Sequence, residues 1–169
     1  MDECFAEAVR LLSQGESFVL ATLFNRHGSV PRTSGARMLL RQNGGSAGTI
    51  GGGLLEARVQ AMAPALLDHP GVQIRHFNLS GKDASQMEMI CGGEVDVLVN
   101  TVTAANPANQ AVFERLVNIL SARKRAWLVT IFDETIQTRC LLEVDGSLTP
   151  AGAFEVAMEN GSPFALQGG

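Results

Sequence analysis

With 169 residues, 46% of them hydrophobic and 18% charged, the chain is large and apolar enough to bury a core, and one domain is expected over residues 1–169. The formal net charge of −4 supplies no basic footprint, so nucleic acid is not expected as a partner. Met1-Asp2-Glu3-Cys4 lacks the cationic start and apolar run of a signal peptide, and no stretch is long enough to span a bilayer; a cytoplasmic protein with no membrane partner is expected.

Phe5, Val9 and Leu12 recur at helical spacing and predict a short helix over Cys4 to Ser13, with Gly15 as its stop. The apolar run Phe18 to Leu23 predicts an interior strand covered on both faces. A loop is expected from Asn25 to Gly35, where glycine and proline punctuate Arg26, His27, Arg32 and several hydroxyls without apolar periodicity. Arg37 to Arg41 and Ser46 to Ile50 then read as two strands of a hairpin turned at Asn43-Gly44-Gly45. The hairpin runs into Gly51-Gly52-Gly53, after which Leu55, Val59, Met62 and Leu66 form a helical stripe that Pro70 and Gly71 terminate. A glycine turn opening a helix exposes amides that suit phosphate or carboxylate; the plainer reading is a tight strand-to-helix connection without a ligand.

Val72 to Phe77 is read as a strand, and Ser80 to Ser85 as a polar loop leading to Met87, Met89 and Cys91. Cys91 stands directly before Gly92-Gly93, and Glu94 to Val99 begins by alternating and ends as an apolar run, so the thiol is expected at the N-terminal mouth of a strand. A small buried residue ahead of a strand is the plainer reading. Asn106-Pro107 gives a helix start, Val112, Leu116, Ile119 and Leu120 its buried stripe, and Arg123-Lys124-Arg125 a cationic end. Ala126 to Phe132 and Thr138 to Val144 predict two further strands, with Cys140 structural, and the tail from Pro150 has weak helical spacing. The interleaving argues for a layered α/β fold, a mixed sheet covered by helices.

The common signatures are excluded. Gly48-Thr49-Ile50-Gly51-Gly52-Gly53 is not G-x-G-x-x-G, so a dinucleotide-binding Rossmann site is not expected, and Gly81-Lys82-Asp83 is not a P-loop. His27, His69 and His76 fit no metal spacing, and the three cysteines, Cys4, Cys91 and Cys140, fit neither a disulfide framework nor a zinc site.

Four motifs in register are more specific: Gly28-Ser29-Val30-Pro31-Arg32, Gly35-Ala36-Arg37-Met38-Leu39, Gly48-Thr49-Ile50-Gly51-Gly52-Gly53-Leu54-Leu55-Glu56 and Met89-Ile90-Cys91-Gly92-Gly93-Glu94-Val95. Together they closely resemble the XdhC/CoxI family, the accessory proteins of xanthine dehydrogenase and related molybdenum hydroxylases, over about residues 5–102; residues 103–169 read as a helix, a two-strand extension and a tail. The resemblance implies a chaperone, not an enzyme. It would bind molybdopterin-type molybdenum cofactor transiently, protect it while a cysteine desulfurase supplies its sulfido ligand, and pass it to the apo-hydroxylase as a cytoplasmic homodimer. The expected site comprises Arg32 and Arg37 for the cofactor phosphate, the amides near Gly51, Gly52 and Gly53, Glu56 from the same motif, and Cys91, Gly92 and Gly93, with Cys91 facing molybdenum or sulfur. Relatives often carry cysteine where this chain has Leu54, and full-length members commonly continue into a C-terminal Rossmann domain whose fingerprint this sequence lacks, so a stand-alone form or a fragment is expected. The alternatives are a cysteine- or nucleotide-dependent oxidoreductase, disfavoured by the lack of a paired base or nucleotide fingerprint, and a dimerising interaction domain with structural glycines.

Overall fold

The computed structural model describes residues 3–28, 32–79, 93–132, 137–151 and 164–165. The chain divides into two compact units, Phe18–Val102 and Met1–Ser17 with Thr103–Gly169.

Among the described residues, the first unit is a five-stranded antiparallel sheet with one helix. Its strands are β1 (Phe18–Gly28), β2 (Arg37–Leu40), β3 (Ser46–Gly48), β4 (Val72–Asn78) and β5 (Gly93–Val102), in the order β3-β2-β1-β5-β4. Helix α2 (Gly53–Asp68) follows β3 directly. Its buried stripe, Leu55, Val59, Ala63 and Leu66, joins alternate strand residues Val19, Ala21, Leu23, Val95, Val97 and Val99 in one core. Each fully buried valine or leucine side chain there contributes about 1.5–3 kcal/mol. The Thr101 hydroxyl donates to the Leu66 carbonyl at 2.7 Å, tying the end of α2 to β5. The β2–β3 turn forms as its sequence demands: Gly44 has φ 82°, and the Arg41 amide donates to the Gly45 carbonyl at 2.8 Å.

The second unit holds α1 (Glu3–Ser13), α3 (Pro107–Ser121) and a four-stranded sheet of β6 (Ala126–Phe132), β7 (Gln137–Glu143), β8 (Leu148–Thr149) and β9 (Phe164–Ala165), in the order β8-β7-β6-β9. Helix α1 stops where Gly15, at φ 74°, lets the amides of Gly15 and Glu16 turn back onto the carbonyls of Leu12 and Leu11. Phe5 of α1 and Phe113 of α3 meet with ring centroids 6.1 Å apart. Arg139 of β7 is buried beneath α3, its carbon centre 5.9 Å from the Phe113 ring centroid and Nη1 donating to Asn109 Oδ1 at 2.8 Å; burial pulls its pKa down to about 10. Cys140 is buried mid-strand, as expected, and burial pushes its thiol up.

The layered α/β expectation holds, realised as two antiparallel sheets with no parallel Rossmann sheet among the described residues. One boundary is corrected. Asn25 to Gly28, expected as the start of a loop, instead continue β1 by pairing with Asp96 to Gly93 of β5.

Candidate functional site

All strands of the first unit are antiparallel, so the C-terminal ends of β1, β3 and β4 and the N-terminal ends of β2 and β5 lie at one end of the sheet. That end carries residues of all four sequence motifs, at two levels. Nearer the sheet body, Arg37 opens β2 opposite Thr22, and Met38 is opposite Gly48, from which the chain turns through Gly51 to Gly53 into α2. Further out, Gly28 and Gly93 face each other as the last residue of β1 and the first of β5. Thr22 and Gly28 are six residues apart on β1, so the levels are separated by roughly 20 Å along the strand. Arg32 is exposed in the loop before β2. Cys91 and Gly92 lie outside the described residues.

The glycine turn is built around a carboxylate. Gly51, Gly52 and Gly53 have φ 144°, 83° and 60°, three successive positive values that only glycine adopts freely. Their arrangement aims donors at Glu56, one turn into α2. One oxygen, Oε1, accepts from the Thr49 hydroxyl, from the Ile50 amide at 3.1 Å and from the Gly52 amide at 2.8 Å. The anion held by this nest is therefore the chain's own. Burial is the largest single influence and pushes the Glu56 carboxyl up, but the Thr49 hydroxyl and the amides of Gly52, Ile50 and Gly51 together hold it below the usual glutamate value.

At the outer level lies a group that the sequence reading passed over. On one face of β1, β5 and β4, Asn25, Asp96 and His76 form one cross-strand row, and His27, Glu94 and Asn78 the next. Asp96 Oδ2 accepts from Asn25 Nδ2 at 2.8 Å, and its Oδ1 lies 2.8 Å from His76 Nδ1. Those hydrogen bonds, His76 before Asn25, hold the Asp96 carboxyl below its ordinary value. A β-bulge between Leu23 and Asn25 makes this face possible. Without the extra residue, Asn25 and His27 would continue the core-facing series of Val19, Ala21 and Leu23; with it they move to the other face. The signal available in sequence was a polar pair at i, i+2 in each strand: Asn25 and His27, His76 and Asn78, Glu94 and Asp96. Among the described residues, no group of three His, Cys, Asp or Glu is placed to hold a metal ion, and no helix is long and apolar enough to cross a membrane.

Residues 11–78 match the XdhC and CoxI family. An uncharacterized protein of Escherichia coli (strain K12), YqeB, is 33% identical over 96 residues, a match covering 57% of this chain and 18% of that protein. A crystal structure described as that of a xanthine dehydrogenase from Bacillus halodurans superposes with a TM-score of 0.69 and 21% identity, covering 86% of this chain and 44% of that one, and shows a shared fold. The chain thus spans less than half the length of either protein. The part of the chain that matches the XdhC and CoxI family, residues 11–78, runs from the end of α1 through the arginine-bearing loop, the β2–β3 hairpin, the three-glycine turn and α2 to the end of β4.

Proposed function

We propose that this chain is an accessory protein of xanthine dehydrogenase-type molybdenum hydroxylases, a non-catalytic chaperone that binds molybdopterin-type molybdenum cofactor during sulfuration and hands it to the apo-hydroxylase. The observation that carries the reading is the gathering of Arg37, the Gly51–Gly53 turn and the Gly28–Gly93 strand ends at one end of one sheet, mostly within the segment that matches the XdhC and CoxI family. The cofactor, when bound, supplies molybdenum and an anionic phosphate. Arg32 and Arg37 are the cations that suit the phosphate, and Cys91 supplies a thiol for molybdenum or sulfur. Glu56 has a different part, since its carboxylate occupies the donors of Thr49, Ile50 and Gly52 and so fixes the shape of the turn from which α2 starts. A cysteine desulfurase as sulfur source, a cytoplasmic setting and a homodimeric assembly belong to the same proposal.

The test is anaerobic equilibrium binding of molybdenum cofactor to the 169-residue chain with Cys91→Ala and Arg32→Ala alongside. Stoichiometric binding without turnover is expected, weaker in Cys91→Ala at unchanged thermal unfolding. Arg32→Ala should weaken binding by roughly fivefold, the worth of an exposed ion pair. Absence of binding by the wild-type chain overturns the reading for this chain, and a large stability loss in Cys91→Ala with normal binding makes that cysteine a core residue.

A further inference from the structure

The two polar rows on β1, β5 and β4 stand at the root of the β4–β5 connection. Asn78 closes β4, Gly93 opens β5, and the Leu79 amide donates to the Gly93 carbonyl at 2.7 Å, joining the two ends of the intervening stretch, which by sequence includes Cys91. Beneath that bond, the His76 ring reaches two carboxylates of the neighbouring strand. Nδ1 is 2.8 Å from Asp96 Oδ1, and Nε2 is 4.0 Å from Glu94 Oε2, whose partner oxygen Oε1 accepts from Asn78 Nδ2 at 3.1 Å. Among the described residues, the other titratable groups on this face are His27, opposite Glu94 on β1, and Arg37 of β2, in the next row in, where Thr22 and Leu98 stand; Arg26 and Arg75 alternate to the other face. The His76 and Glu94 side chains are 55% and 45% exposed, so protons reach the ring without any opening of the sheet.

With Nδ1 donating to Asp96, a neutral ring turns a lone pair at Nε2 toward the Glu94 carboxylate. A protonated ring turns an N–H toward it instead. Strand β4 is the outermost strand of its sheet and pairs, among the described residues, with β5 alone, so this side-chain link bears directly on how firmly β4 is held. We propose that His76, Asp96 and Glu94 form a pH-operated clasp, in which protonation of the imidazole joins both carboxylates at once and fastens the C-terminal end of edge strand β4 to the start of β5. The proposal does not depend on the function argued above. Its sign follows from charge: a protonated ring is attracted to both carboxylates and a neutral ring is not, so the added hold belongs to the charged ring. Asp96, with its carboxyl held below the ordinary range, supplies its negative charge to either form of the ring.

Hydrogen exchange of the full chain, corrected for intrinsic rates, tests the clasp at about pH 6 and about pH 8, where histidine changes charge. The β4 amides bonded to β5 should be protected roughly threefold more at the lower pH, in the range of an exposed ion pair, while those of β2 in the same sheet show no change. His76→Gln should flatten the ratio, and Glu94→Gln should reduce it part of the way, leaving the Asp96 arm. A flat wild-type ratio overturns the proposal, as does a His76→Gln variant that keeps the dependence. A Glu94→Gln variant with the full wild-type ratio overturns the two-carboxylate clasp.

Discussion

Helices α2 and α3 begin in opposite ways. α3 starts on Asn106, whose extended backbone and side-chain oxygen, accepting the Ala108 amide at 3.0 Å, are what a helix start needs, with Pro107 at the first helical position. α2 starts on Gly52, at φ 83° and ψ 179°, with no side chain to cap it, and the capping acceptor comes from Glu56 inside the helix. The first arrangement follows from local preference alone. The second needs three positive-φ glycines, a threonine hydroxyl and a committed carboxylate to agree, and it falls inside the segment that matches the XdhC and CoxI family, at the sheet end where the arginine-bearing loop and Gly93 also lie. Unusual backbone is concentrated where the candidate site is, which is where strain is ordinarily kept when it serves a purpose.

Substitutions that exchange the two starts sharpen the contrast. The largest effect is expected for Gly52→Ala and Gly52→Asn, each losing about 1–3 kcal/mol in chemical denaturation, because that φ, ψ combination is almost closed to other residues. A Cβ at Gly52 meets no atom within 4 Å, so the loss is conformational and not steric crowding. Stability equal to wild type in Gly52→Asn, which brings α3's own capping residue to α2, would break the comparison. Next in size is Glu56→Ala, expected to lose about 1–2 kcal/mol by stranding donors in the turn. Glu56→Gln keeps an acceptor and loses less, but it changes the pH profile. A carboxyl held low in the folded chain contributes stability above its unfolded value near 4.3 and loses it as pH falls through the folded value. Wild-type midpoints should therefore fall more steeply than those of Glu56→Gln below about pH 4, and parallel acid limbs would show that the nest does not hold the charge.

Much of the fold was legible because its signals are local. Phe18 to Leu23, Leu55 to Leu66 and Asn106-Pro107 each carry their period or cap in neighbouring residues, and the structure follows them closely. The end of β1 was not legible. Asn25, Arg26, His27 and Gly28 read as loop because they are polar and end in glycine, yet they are strand residues whose pairing is supplied by β5, some seventy positions away. The bulge that sends Asn25 and His27 away from the core cannot be read from β1 alone. Glu56 was legible as part of a motif, but its hydrogen bonds were not, since they depend on how the three glycines fold back. The six-residue polar face fails to register for the same reason: each strand shows only an i, i+2 pair, and only the cross-strand register makes the pairs one group.

The smallest effects belong to the ordinary start, and their pattern decides whether it is ordinary. Asn106→Ala removes the acceptor for the Ala108 amide and should cost about 1 kcal/mol, while Asn106→Gly should cost only a few tenths, since a glycine at this position leaves its first amides open to water. Placing glycine at α3's cap is thus nearly neutral, while placing asparagine at α2's cap is not. Denaturation of Asn106→Gly beside Gly52→Asn measures that asymmetry directly, because each variant brings in the residue that the other helix already uses. If Asn106→Gly lost as much as Gly52→Asn, both starts would depend on more than local capping, and the distinction between a helix start set by its own residues and one shaped around Glu56 would fall.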